Sequence, residues 1–192
     1  MRITRILTML LCFVGSAPLL AAEAYLIDTK GMHASISFEI PHLGYSLLTG
    51  RFNRFSGKFV YDRENPPASS VSVVIETGSV DSNHAERDKH LRSKDFLNSK
   101  KYPEATFVSS SFSEDDSGAI VMTGDFTLNG ISKPLTIRMS KVGEGDDPWG
   151  GYRMGFSGKT SFLLTDFGIM KSLGEHSKEV VLRLSVEGVR QK

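Results

Sequence analysis

Along most of this chain polar and apolar residues alternate with a period of two, the pattern of β-strands that bury one face and expose the other. The clearest run sets Ala34, Ile36, Phe38 and Ile40 against Ser35, Ser37 and Glu39. Val71, Val73 and Ile75 repeat it against Ser72 and Glu76, with Val74 the one apolar residue on the outer side. Ile120, Met122, Gly124, Phe126 and Leu128 alternate with Val121, Thr123, Asp125 and Thr127. The Asn129-Gly130 pair that follows predicts a two-residue hairpin turn into Leu135, Ile137 and Met139. Tyr152 to Leu164, with even-numbered residues inward, and Val180, Leu182, Leu184 and Val186 complete the set. Glycines at 50, 57, 124, 155 and 158 suit strands that curve sharply.

One segment breaks the rhythm. From roughly His84 to Phe96 the spacing predicts a helix, with Asp81, Ser82 and Asn83 as N-cap candidates and Asn83 and Glu86 at capping-box spacing. Its mixed charges, Glu86, Arg87, Asp88, Lys89, Arg92, Lys94 and Asp95, predict a solvated helix touching the sheet through Ala85, Leu91 and Phe96. Arg87 or Arg92 would then pair locally with acids. Pro66-Pro67, Pro103 and Asp147-Pro148 mark loops, no fixed-period repeat is present, and no linker divides the chain. Many strands and one short helix predict a single all-β domain, a barrel or a sandwich.

The start of the chain has a different character. Met1 to Arg5 carries two arginines and Ile6 to Leu20 carries no charge, which predicts a secretory signal peptide over residues 1–22. The apolar run is short for a membrane span of about 20 residues and contains Gly15 and Pro18. Cleavage is expected after Ala22 or, by the A-x-A pattern, after Ala24. Residues 23–192 then form the folded domain, with no integral membrane span after processing. Cys12, the single cysteine, lies in the leader behind Leu10 and Leu11, where a lipoprotein signal needs a small residue. The processed chain thus enters an oxidising compartment without disulfide chemistry. Removing Arg2 and Arg5 from the 23 Lys and Arg leaves 21 against 22 Asp and Glu. That near balance leaves nothing basic enough for a nucleic-acid partner.

The expected inward positions are Phe38, Ile40, Phe59, Val73, Ile75, Phe107, Met122, Phe126, Leu128, Ile137, Met139, Phe156, Phe162, Leu182 and Leu184. Most phenylalanines beyond the leader fall on such positions. Periodicity of this kind defines a core and does not distinguish a filled core from a tunnel. Catalytic signals are missing: the processed chain has no thiol, no G-x-S-x-G elbow and no H-E-x-x-H. His84 and Asp88 stand four apart, but His90 falls on another face, leaving at most two local ligands. Asp146 and Asp147 sit in a Gly-rich turn, and two carboxylates make a weak calcium site. No catalytic residue and no metal are therefore expected.

The run from His84 through Asn98, continued by Lys101-Tyr102-Pro103-Glu104-Ala105-Thr106-Phe107, resembles the YceI-like family of periplasmic polyisoprenoid-binding proteins. So do His42-Leu43-Gly44-Tyr45-Ser46, Gly124 through Gly130, Gly145 through Gly151, and Val186-Glu187-Gly188-Val189, which together span the processed chain. The resemblance implies an eight-stranded antiparallel lipocalin-like β-barrel with one short α-helical segment, located in the periplasm. Its apolar interior would hold a long isoprenoid lipid, a polyprenyl diphosphate or a quinone tail, as carrier or buffer and without any other cofactor. A homodimer is compatible with it. The head group would sit at a barrel mouth, with Arg51, Arg54 and Lys58 as candidates to meet it, although strand-edge charges ordinarily serve solubility. The alternative is a periplasmic stress or interaction protein with a solid core and no lipid.

Overall fold

The computed structural model describes residues 23–171 and 173–191. The expected leader and Cys12 lie outside the described residues. Eleven strands and one helix follow in chain order: β1 (Glu23–Ile27), β2 (Ser35–His42), β3 (Ser46–Phe52), β4 (Phe55–Tyr61), β5 (Ser70–Glu76), β6 (Val80–Asp81), α1 (Ala85–Leu91), β7 (Glu104–Glu114), β8 (Ile120–Leu128), β9 (Ile131–Asp146), β10 (Tyr152–Leu163) and β11 (Glu179–Arg190).

The pairings reduce these eleven strands to eight staves. β11 pairs with β1 through its C-terminal end, Arg190 opposite Tyr25, and with β2 through its N-terminal half, Leu182 opposite Phe38. β1 and β2 are thus two halves of one stave. β4 and β3 pair with them in turn, and β5 and β6 pair with β4 and β3, giving two more interrupted staves. β7 to β11 follow as continuous neighbours. Every contact is antiparallel between consecutive staves, and the β1–β11 pairing closes the sheet into an eight-stranded barrel. Closure leaves few edges to protect.

Alternation decides which face each strand buries. On β8, Ile120, Met122, Phe126 and Leu128 are buried while Asp125 between them is exposed. Asn129 and Gly130 adopt φ of 52° and 75°, the two left-handed residues that a type I′ hairpin requires. A register shift between Ser109 and Ser111 moves β7 by one residue, so that Phe107 and Phe112 both face inward, opposite Phe126 and Met122.

The floor of the barrel is aromatic. Tyr25 stacks on Phe59 at 4.9 Å and 7°, Phe59 meets Phe156 edge-on at 5.6 Å, and Tyr61 meets Phe156 at 5.4 Å. Tyr25 is fully buried, and its hydroxyl donates to Glu23 at 2.7 Å. Burial, helped by that carboxylate, pushes its phenol above the usual range. Gly188 makes the floor possible, because a Cβ there would run into the Phe59 ring and the Tyr25 Cβ.

The helix is shorter than the expected span. α1 runs only from Ala85 to Leu91, its N-cap is His84, and the imidazole Nδ1 accepts from Arg87 N–H at 3.2 Å. Asn83 instead takes a left-handed φ of 62° and caps nothing. Beyond Leu91 the chain closes into turns, with Leu97 N–H donating to Leu91 O at 3.0 Å. In an unbroken helix Leu91 and Phe96 would point about 140° apart. The turns bring both, with Leu97, against the barrel interior. Ala85 is exposed and makes no such contact. Arg87 and Arg92 pair with Ser82 and with Val80 O rather than with acids, because Asp88 is already taken up by Ser82 N–H and Oγ at 2.8 and 2.5 Å.

Gly188→Ala should cost about 1–3 kcal/mol by overpacking the floor, read as a lowered urea midpoint. An unchanged midpoint would show that the floor is loosely packed.

Candidate functional site

Two cavities fill the space above the aromatic floor. The larger, about 570 Å³, opens at the far end of the barrel, where the β2–β3 turn, the segment around α1 and residues 164–177 converge. The smaller, about 100 Å³, lies next to the floor. Ile36, Ile75, Phe126 and Leu182 line both and form a waist between them.

All fifteen sequence-predicted positions line one cavity or the other. Phe38, Ile40, Ile75, Phe126, Leu128, Phe162 and Leu182 surround the larger space. Phe59, Val73, Phe107, Met122, Ile137, Met139, Phe156 and Leu184 surround the smaller, which Ile75, Phe126 and Leu182 also reach. Phe126, Phe162 and Phe167 form one aromatic wall, with ring centroids 5.1–5.4 Å apart. Ile36 and Val180, already visible in the alternation, belong with the predicted positions. Leu48, Leu91, Phe96, Leu97, Leu164, Ile169 and Leu173 also line the mouth. Most of these sit in turns, where no period marks the inward side.

The size of the space matters energetically. Folded interiors rarely hold voids larger than a water molecule. At about 24 cal/mol per Å³ of empty cavity, 570 Å³ left dry would forfeit on the order of 14 kcal/mol. That is as much as a typical domain's whole stability. The barrel's own side chains do not close this space, which opens at the mouth and is large enough to admit an apolar guest.

The polar groups at the mouth are few, and Arg87, His90 and Ser177 among them are engaged with the scaffold, while His42 is exposed. Arg87 donates through Nε and Nη2 to Ser82 Oγ and O at 2.7 and 2.6 Å. His90 Nε2 lies 3.0 Å from Asp95 Oδ2, and that hydrogen bond holds the Asp95 carboxyl below the usual range. Ser177 Oγ donates to Pro41 O at 2.5 Å and accepts from Leu43 N–H at 3.4 Å, which commits this hydroxyl to the scaffold. The cations considered for a head group do not gather here: Arg51 pairs with Asp81 at 3.7 Å, Arg54 with Glu76 at 2.5 Å, and Lys58 is exposed on the outer wall.

The outer wall carries Asp125 on β8 and Ser157, Lys159 and Ser161 on β10, all exposed. An apolar interior inside a polar wall inverts the arrangement of a membrane-spanning barrel. Among the described residues no helix is long and apolar enough to cross a membrane.

Near the floor, Asp28, His33 and Glu187 bring three ligand atoms within 4.8 Å of one another. Two of the three already hold a cation: Arg153 donates to Asp28 at 2.7 Å and to Glu187 at 2.5 Å, and beyond them to Asp147 at 2.8 Å. The guanidinium thus staples β10, β11, the end of β1 and the β9–β10 turn. Its hydrogen bond holds the Asp28 carboxyl far below the ordinary range. Asp147, one of the two turn aspartates, also accepts from Trp149 and Gly151 N–H. It caps a turn. His84 and Asp88 face Arg87 N–H and Ser82 respectively and share no site.

Residues 25–188 match the family model described as a YceI-like domain. The chain is 58% identical over 176 residues to a UPF0312 protein of Shewanella sp. strain ANA-3, covering 91% of this chain and 92% of that one. It superposes on a Campylobacter jejuni YCEI protein with a TM-score of 0.70 at 28% identity, covering 80% and 91% of the two chains. A polyisoprenoid-binding domain from Saccharophagus degradans shares the fold, with a TM-score of 0.64 at 14% identity over 88% of this chain and 99% of that one.

Arg153→Met should lower stability at neutral pH by about 1–3 kcal/mol, since it strands three carboxylates. Asp28 titrates low in the folded state, so its contribution is present above the unfolded carboxylate value near 4 and is lost as pH falls through the folded one. The gap between wild type and variant in thermal melts should therefore narrow below about pH 4. A gap independent of pH would contradict the staple.

Proposed function

This chain belongs to the YceI-like domain family, and on that premise we propose that its barrel is a binding chamber for a long isoprenoid lipid, as carrier or buffer in the periplasm. The observation that carries this reading is the open apolar cavity of about 570 Å³. Taking a methylene-sized group to occupy about the 30 Å³ of a liquid water, it takes up roughly twenty such groups, or about four isoprene units. A longer tail would pass the waist into the smaller cavity or protrude at the mouth.

Area alone supplies the affinity. Burying about ten methylene-sized groups at roughly 0.8 kcal/mol each gives about 8 kcal/mol before ordering costs, a ceiling near micromolar affinity for that many groups. The wall of branched aliphatic and phenylalanine side chains suits a methyl-branched polyene and offers it no hydrogen bonds. Arg87, His90 and Ser177 at the mouth are bonded to their own scaffold, which favours holding a lipid over turning it over. A polyprenyl diphosphate and a quinone tail both fit it, the head group staying at the mouth. The bound lipid is the only cofactor the reading needs, and export through the leader over residues 1–22 places the protein with such lipids. The solid-core alternative is disfavoured by the size of the cavity.

The test is titration of delipidated protein with a fluorescent polyprenyl diphosphate, where saturable one-to-one binding near micromolar is expected. Leu182→Trp, at the waist, should weaken a long-chain probe about tenfold while leaving a geranyl probe unaffected, because only the long tail needs the smaller cavity. Absence of saturable binding, in a protein with a normal melting curve, would sink the chamber.

A further inference from the structure

The barrel's two ends differ in more than openness. Of the eleven large apolar side chains that the described residues leave exposed, Leu43, Tyr45, Leu47, Ile131, Leu163 and Met170 lie at the mouth end. Tyr45, 87% exposed, forms the tip of the β2–β3 turn, and Met170, 74% exposed, follows the buried Ile169 of the cavity wall. These two stretches touch: Gly44 lies against the His176 ring, and Ser177 Oγ holds Pro41 O. They make one apolar rim beside the opening.

Charge is also unevenly shared. The segment 84–102, which borders the mouth through Leu91, Phe96 and Leu97, carries six Lys and Arg against three acids. The rest of the processed chain holds fifteen basic against nineteen acidic residues. Lys89, Lys94, Lys100 and Lys101 of this segment are exposed. A rim of exposed apolar and aromatic tips flanked by lysines is the composition of a surface that settles into an anionic bilayer interface.

We propose that the mouth end docks on an anionic phospholipid bilayer, with Leu43, Tyr45, Leu47 and Met170 entering the interface and the lysines of 84–102 meeting lipid phosphates. The cavity then opens against the membrane, so an apolar chain passes between bilayer and barrel without crossing water. This rests on the chamber reading for its purpose, though not for its measurement.

The experiment is flotation of the processed protein with vesicles of phosphatidylglycerol and phosphatidylethanolamine, and with vesicles of phosphatidylcholine alone, none containing isoprenoid. Binding to the anionic vesicles, weakened by salt, is expected. The double variant Tyr45→Asp/Leu47→Asp should lose about tenfold in partitioning with an unchanged melting curve, since both side chains are exposed. Val142→Asp, at an exposed position toward the opposite end, should change nothing. Trp149, the only tryptophan, lies in the β9–β10 turn at that opposite end and should keep its emission maximum on binding.

Several outcomes would overturn the proposal: no partitioning to anionic vesicles, partitioning indifferent to the double variant, or a blue shift of Trp149. A dimer dissolved by the same substitutions, without vesicle binding, would assign the rim to a second copy and overturn it as well. A protein that binds polyprenyl probe but ignores vesicles loses only the docking surface. One that docks but binds no probe loses only the chamber.

Discussion

The pairing of β1 and β2 with β11 is the constraint on which the rest depends. A sheet closed on itself carries its shape in the ladder of backbone hydrogen bonds rather than in the packing of side chains across the middle. Once Tyr25 stands opposite Arg190 and Phe38 opposite Leu182, the inward faces are shielded from bulk water whether or not they meet. That is why the barrel can hold a space that would unfold a sandwich of the same composition. The guanidinium of Arg153 braces this closure from outside, tying together the strands that flank the seam.

The two ends then take opposite roles. At one, Tyr25, Phe59, Tyr61 and Phe156 interlock around the opening left by Gly188, and the start of β1, the end of β11 and the β4–β5, β7–β8 and β9–β10 turns gather there. At the other, the β6 stave ends early and the α1 segment stands in place of the next strand, so the wall is made of turns. Turns are cheaper to rearrange than a hydrogen-bonded ladder. Entry of a ligand is therefore expected at the end where turns complete the wall.

How much of this was legible in the sequence follows from the same physics. A two-residue period registers every position where a continuous strand has one wet and one dry face, which is why the fifteen inward residues all line the interior and Asn129-Gly130 forms its turn. Broken staves give weaker signals. β6 is two residues long and β1 five, too short to show a period. The α1 segment misled in a different way: its charges fit a long solvated helix, but Phe96 and Leu97 are drawn into the mouth, and that tertiary demand ends the helix at Leu91. Ile169 and Leu173 reach the cavity from a loop and carry no local mark. Whether the inward faces met in the middle was beyond periodicity altogether, and only closure of the barrel answers it.

The central claim is that the interior is a chamber built to be filled. Native mass spectrometry of the protein, purified without detergent from its native cells, tests this most directly. The account predicts a stoichiometric adduct with the mass of an isoprenoid lipid, lost on extraction with organic solvent and regained on incubation with that extract. A bare polypeptide mass before extraction, in protein that also fails to take up the extract, would contradict it.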